Sequence, residues 1–253
     1  MAWLAAFIVG ACVGLLGSGG SILNIPVLIY IVGESEKSAI AESLVIVGII
    51  AVFAAIPYAR KGLIVWRSAA LFGGPGMIGA YLGASLAEFV PASVQLLLLA
   101  VIMLVAAFFM FQPPVNGVAA PRAYWKIASD GLMVGILTGL VGVGGGFLIV
   151  PTLVLLGGLT MRQAVGTSLV IIALKSLAGF IKYRDVLAKL GLSVDWSLVV
   201  LFAGLGAVGS LAGGLVAHRI PQARLRKMFA LALLAIGAYM TLQNLPSLLA
   251  ARP

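Results

Sequence analysis

One lysine stands where an apolar chain does not normally place a charge. Lys175 lies eleven residues into an apolar run that begins at Ala164. At ~1.5 Å per residue that is about 16 Å deep, the midplane of a bilayer. A charge there costs roughly 2.5–3.5 kcal/mol on insertion scales, and such residues mark ion or substrate paths. An ammonium at that depth would hold an anion as a point charge. Two structural roles compete with this: pairing with a carboxylate or with carbonyls, and snorkelling, for which a lysine stem barely reaches. Glu42 is the second candidate, one turn inside its own helix. It is either a carboxylate favoured near a helix start, or a titrating proton carrier or partner of Lys175.

Two glycine clusters come next. Gly17-Ser18-Gly19-Gly20 precedes Pro26, and Gly142-Val143-Gly144-Gly145-Gly146 precedes Pro151. Half-helix ends at such breaks expose backbone N–H groups that bind anions, which points to Gly19, Gly20, Gly144, Gly145 and Gly146, with close helix packing the competing role. Ser18, Ser21 and Asn24 add donors in the first copy, where the second has Val143, Gly146 and Ile149. Thr167 and Ser168 could add hydroxyls. Gly79-x-x-x-Gly83 and Gly209-x-x-x-Gly213 read as close helix packing. Tyr58, Tyr183, Trp66 and Trp196 fall near segment ends, where aromatic belts form; they read as interface anchors, with a gate the alternative. His218 stands beside Arg219 and lacks the further ligands a metal site needs. Cys12 in its apolar run reads as a packing residue.

These residues need a scaffold, and composition sets it. The chain has 253 residues, 62% of them hydrophobic and 9% charged, where soluble domains carry roughly 25% charged residues. So few charges cannot cover a soluble fold. The remaining class is an all-α polytopic membrane protein in contact with lipid. Apolar segments run over 2–32, 38–59, 68–88, 92–111, 131–159, 164–181, 196–217 and 228–250, eight in all, with loops at 112–130 and 182–196. The segments 2–32 and 131–159 are too long: 31 helical residues measure about 46 Å against a hydrocarbon core of ~30 Å. Each is broken at its glycine cluster, as an interrupted crossing or a re-entrant hairpin. The net charge of +9 reflects the positive-inside bias; no basic stretch is interleaved with aromatics as a nucleic-acid surface requires.

The chain repeats itself. At a shift of 125 residues Gly14-Leu15-Leu16-Gly17 lies on Gly139-Leu140-Val141-Gly142, Pro26 on Pro151, Ser43-Leu44-Val45-Ile46 on Ser168-Leu169-Val170-Ile171, and Tyr58 on Tyr183. After a five-residue insertion Trp66 meets Trp196, Gly79 meets Gly209 and Pro91 meets Pro221. The expected organisation is a first repeat over 1–111, a connecting loop over 112–130 and a second repeat over 131–253. Glycine-interrupted segments in matching positions of two halves point to a secondary transporter. Because unwound backbone at membrane depth must line protein or a cavity, the two breaks are expected to meet near the middle with the substrate between them.

The paired motifs GLLGSGGSILNIPVL and GLVGVGGGFLIVPTLVLLGGLTMRQAVGTSLV resemble the signatures of the sulfite exporter TauE/SafE family, over essentially the whole chain. The resemblance implies an inner-membrane, multi-pass permease for sulfite, sulfonates or related small organic anions, with no cofactor. In the first half Ala41-Glu42-Ser43 stands where the second has Gly166-Thr167-Ser168. A carboxylate replaces a hydroxyl, so Glu42 is the candidate for coupling to a proton, with sodium the other candidate ion.

Charge bears on topology. With Lys175 set aside, eight crossings give parallel halves and nine Lys/Arg against six; re-entrant segments 1 and 5 give inverted halves and ten against five, with the termini on the poorer side. The re-entrant form is slightly favoured. An intramembrane enzyme would need a nucleophile with a base, a carboxylate pair or a metal, and the sequence offers none. An anion channel and a non-transporting sensor or scaffold subunit are the alternatives to a permease. The sequence carries no signal for an oligomeric state.

Overall fold

The computed structural model describes residues 2–17, 21, 23–111, 124–141, 146–155, 157–217 and 219–250, and no strand occurs among them. In chain order the helices are α1 (Ala2–Leu16), α2 (Asn24–Val27, continued by a π turn over Leu28–Val32), α3 (Glu36–Arg60), α4 (Trp66–Leu86) and α5 (Ala92–Phe111). They are followed by α6 (Tyr124–Val141), α7 (Gly146–Leu155), α8 (Met161–Lys189), α9 (Trp196–Ala217) and α10 (Gln222–Ala250). Among the described residues, five helices are long and apolar enough to cross a membrane: Glu36–Arg60, Trp66–Leu86, Ser93–Phe111, Met161–Lys189 and Trp196–Ala217. The eight expected segments are thus distributed over ten helices. Segment 2–32 holds α1 and α2; segment 131–159 holds the end of α6 and α7.

Two expected loops are partly helical. Residues 182–189 continue α8, because Tyr183, Val186 and Leu187 at helical spacing are buried while their charged neighbours face out. Residues 124–130 open α6. Local chemistry sets the starts of the two long central helices. The Ser35 hydroxyl accepts the Ser38 N–H at the head of α3, and Thr160 forms a capping box with Gln163 at the head of α8.

Glycines fix the helix pairs. Between α4 and α6, a Cβ on Gly131 would lie 3.0 Å from Phe72 Cα, and one on Gly135 3.0 Å from Gly79 Cα; a Cβ on Gly139 would strike Ala80 backbone. The two helices therefore run parallel, backbone against backbone, as small residues permit. Helices α1 and α9 pair the same way, Gly10 against Gly206 and Gly14 against Ser210. By contrast α3 and α8 are antiparallel: Gly166 faces Tyr58, Gly48 faces Ser176 and Gly179 faces Leu44. Each first helix thus packs on the fourth helix of the other part of the chain, and the two central helices pack against one another between them.

These directions sort the charges onto two faces. On the face at the ends of α3 and α9 lie Arg60, Lys61, Arg67, Lys126, Arg162, Arg219, Arg224, Arg226 and Lys227, with Asp130 the acidic residue nearest them. We call it the basic face. The opposite face carries Lys37, Lys182, Arg184 and Lys189 among the described residues, with Glu34, Glu36, Glu42, Glu88, Asp185 and Asp195. Lys189 and Glu88 pair there at 2.7 Å.

Candidate binding site in the membrane core

Lys175 is 1% exposed. Its stem passes over Gly76 of α4, where an added Cβ would sit 3.1 Å from Lys175 Cδ. Its Nζ donates to Thr138 Oγ1 of α6 at 2.9 Å, and that hydroxyl is its one hydrogen-bond partner among the described residues. Thr138 Oγ1 lies 2.6 Å from the Val134 carbonyl oxygen. The hydroxyl proton is spent on that carbonyl, so Thr138 can only accept from Lys175. The α4, α6 and α8 walls thus hold an ionisable side chain with a neutral acceptor and, among the described residues, no carboxylate. Snorkelling is ruled out by this geometry, because Lys175 points to an inward-facing hydroxyl. The positions 125 residues earlier are Val13 and Ile50, both buried. Ile50 lies on Gly206 as Lys175 lies on Gly76, so the polar pair has an apolar counterpart.

Glu42 does not reach Lys175. Its Oε1 accepts the backbone N–H of Asp195 at 2.9 Å, just before α9. Asp195 in turn accepts the N–H groups of Ser197 and Leu198 at 2.8 and 3.1 Å, which is an ordinary N-cap. Thr167 does the equivalent work at the other face: its Oγ1 accepts the N–H of Val65 at 3.0 Å, at the head of α4. The carboxylate-for-hydroxyl exchange noted in the sequence is therefore an exchange of one helix-start acceptor for another. Ser168 donates to the Val165 carbonyl of its own helix at 2.8 Å.

Ser18, Gly19, Gly20, Gly144 and Gly145 lie outside the described residues, and Gly146 opens α7. Ser21 and Asn24 are fully buried, and neither amide atom of Asn24 has a hydrogen-bond partner among the described residues. The flanks of the two glycine clusters correct one expectation. Gly17, at φ +68°, packs against Val165 near the start of α8, whereas the Leu140 carbonyl accepts from Tyr183 near its end at 3.0 Å. Those contacts are 18 residues apart on α8, about 27 Å at ~1.5 Å per residue. The flanks stand toward opposite faces rather than together at the middle, and the Lys175 site lies between those levels.

Tyr58 and Tyr183 are likewise not interface anchors. They are 1% and 0% exposed. Tyr58 donates to the Gly14 carbonyl at 3.1 Å and Tyr183 to that of Leu140. Both carbonyls belong to the last turn of a helix, where intrahelical donors run out. Trp66 and Trp196 are 64% and 55% exposed, as belt residues should be. Beside Tyr183, Gln95 donates to the Leu140 carbonyl at 2.9 Å, and Lys37 donates to Gln95 Oε1 at 2.9 Å and to the Ala87 and Val90 carbonyls. Thr138 and Gln95 are functional-looking residues that the sequence reading passed over. Their one signal is a polar side chain inside an otherwise apolar run.

With this geometry in hand, family comparison is decisive. The model of the sulfite exporter TauE/SafE family matches residues 2–240. The chain belongs to that family. A protein of Xylella fastidiosa strain Temecula1 named probable membrane transporter protein is 33% identical over 255 residues, covering 96% of this chain and 95% of that one. A Haemophilus influenzae protein of the same name is 24% identical over 258 residues, covering 95% and 97%. The probable membrane transporter protein YdhB of Bacillus subtilis is 26% identical over 187 residues, covering 71% and 76%. No solved structure matches. This TauE/SafE family member is a membrane transporter by family, with several apolar helices fit to cross the bilayer.

Proposed function

We propose that this TauE/SafE protein is a secondary permease that moves a small anion of the sulfite, sulfonate or short organic class across the inner membrane by alternating access. One observation carries the reading: Lys175 is buried at mid-depth against a single neutral hydroxyl. A charge so placed costs free energy with no structural partner to offset it, which is how substrate sites differ from structural ion pairs. The family name supports sulfite or a sulfonate as cargo.

The two halves, 1–111 and 131–253, act as inverted repeats in this reading. Support comes from the antiparallel α3 and α8 and from the exchange of first helices between halves. The basic face is cytoplasmic by the positive-inside rule, which puts both termini outside. The Tyr58–Gly14 and Tyr183–Leu140 contacts are then two gates, one per face. Opening one while the other holds would expose Lys175 to one side at a time. Solute counterflow in proteoliposomes tests the function, with a panel of sulfite, sulfoacetate, methanesulfonate, taurine, sulfate and short carboxylates. Saturable counterflow of one or more anions is expected. An uncoupled ohmic current, or ligand-induced stabilisation without flux, contradicts a permease.

A further inference from the structure

Resting on that reading, we propose that Lys175 carries the coupling proton as well as the anion, so that the two cross together as a neutral ammonium–anion pair. The geometry of the closed site sets this up. Thr138 Oγ1 accepts one N–H of Lys175 while its own proton goes to Val134, and no other acceptor for Nζ occurs among the described residues. A protonated Lys175 in the empty site would leave two N–H groups facing apolar wall, and its charge would have no counter-ion. A neutral amine there leaves one N–H and a lone pair without a partner but carries no charge, so its burial costs far less. An anion brought to Nζ supplies both the missing acceptors and the missing charge. Proton and anion therefore favour one another's binding, which is the thermodynamic definition of coupling.

Among the described residues no other titratable group lies close enough to take the part. On α4 the facing residues are Phe72, Gly73 and Gly76, and the ionisable ones, Arg67 and Tyr81, are at the basic-face start of the helix and on its exposed side. On α6 the next is Asp130, eight residues from Thr138; on α8 they are Lys182 and Tyr183, seven and eight residues from Lys175. Each is about 10–12 Å along its helix at ~1.5 Å per residue. Glu42 faces α9 through Asp195. The bookkeeping is simple. On one side the Nζ lone pair takes a proton and the ammonium takes the anion; on the other the anion leaves and the proton follows it into water. The empty carrier returns with a neutral amine.

Methanesulfonate is the probe, because a strong-acid anion cannot carry the proton itself. Wild-type proteoliposomes should show methanesulfonate counterflow. Net uptake should be driven by an inward acid gradient, be indifferent to a potassium diffusion potential, and acidify the lumen by about one proton per anion. Lys175→Arg, permanently charged, should lose the response of its remaining flux to the pH gradient; Glu42→Gln should keep both counterflow and that response. Proton uptake on binding, measured calorimetrically with wild-type protein in two buffers of different ionisation enthalpy, gives the same answer without a variant. Absence of wild-type counterflow for every anion of the panel contradicts the permease reading and this proposal with it, and its absence for methanesulfonate alone overturns this proposal. Counterflow combined with electrogenic net uptake overturns the proposal alone, as does loss of proton drive in Glu42→Gln with its retention in Lys175→Arg.

Discussion

Replacing the polar pair by its apolar counterpart gives a sign that few other accounts would give. Thr138→Val removes the sole acceptor of Lys175 and leaves a buried donor unsatisfied, at about 1–3 kcal/mol. Lys175→Ile does the reverse. It leaves the Thr138 hydroxyl bonded to Val134 at 2.6 Å, so nothing is orphaned. The space is right, since Ile50 already lies on Gly206 in the other half. Trading a buried ionisable side chain for a well-packed apolar one is commonly neutral or stabilising by about 1–4 kcal/mol. Lys175→Ile is therefore expected to hold or raise stability while abolishing transport. The double variant should match Lys175→Ile, so that the penalty of Thr138→Val disappears in its background and the coupling is about 1–3 kcal/mol. Reversible unfolding in mixed micelles measures all three. A loss above about 2 kcal/mol for Lys175→Ile, with Thr138→Val neutral, would show Lys175 to be a structural post and refute the reasoning.

Four other outcomes follow from the same contacts. Glu42→Ala should cost about 1–2 kcal/mol by exposing the Asp195 N–H, while Glu42→Gln keeps an acceptor and most of the stability, both read by thermal unfolding. Gly135→Ala should sharply reduce folded protein in detergent gel filtration, since its Cβ would lie 3.0 Å from Gly79 Cα; Gly74→Ala, with nothing within 4 Å, should be tolerated and gain roughly 0.5–1 kcal/mol. Tyr58→Phe should speed hydrogen exchange in the last turn of α1, and Tyr183→Phe in that of α6, several-fold each for a contact of about 1 kcal/mol; equal rates in both turns for either variant would dissociate the tyrosines from the helix ends. Thiol labelling of cysteines placed at Lys61 and at Lys182 should report opposite sides of the membrane in intact cells, because α3 ends and α8 ends on different faces.

Much of this was legible in the residues, and the failures have a common cause. Counting along an apolar run put Lys175 well inside a helix, and the structure has it buried halfway along α8. The two-face charge bias was visible as well, and acidic residues sharpen it beyond the Lys/Arg count alone. What the sequence withheld were contacts between distant segments. Glu42 meets Asp195 across 153 residues, so a helix-start acceptor looked like a lone membrane carboxylate. Tyr58 and Tyr183 sit close to helix ends, yet α1 and α6 cover them because each first helix packs on the far half. Thr138 was one hydroxyl in GILTGL, meaningless until the α6–α8 register set it against Lys175. The capping signature Thr160-x-x-Gln163, in contrast, is local and could have been read directly.

The central claim is a single anion site built on Lys175. Counterflow of the anion panel by wild-type and Lys175→Met proteoliposomes, matched for folded protein by gel filtration, tests it most directly. The account predicts saturable counterflow of at least one small anion by the wild type and none of it by Lys175→Met. Undiminished counterflow in Lys175→Met would contradict it.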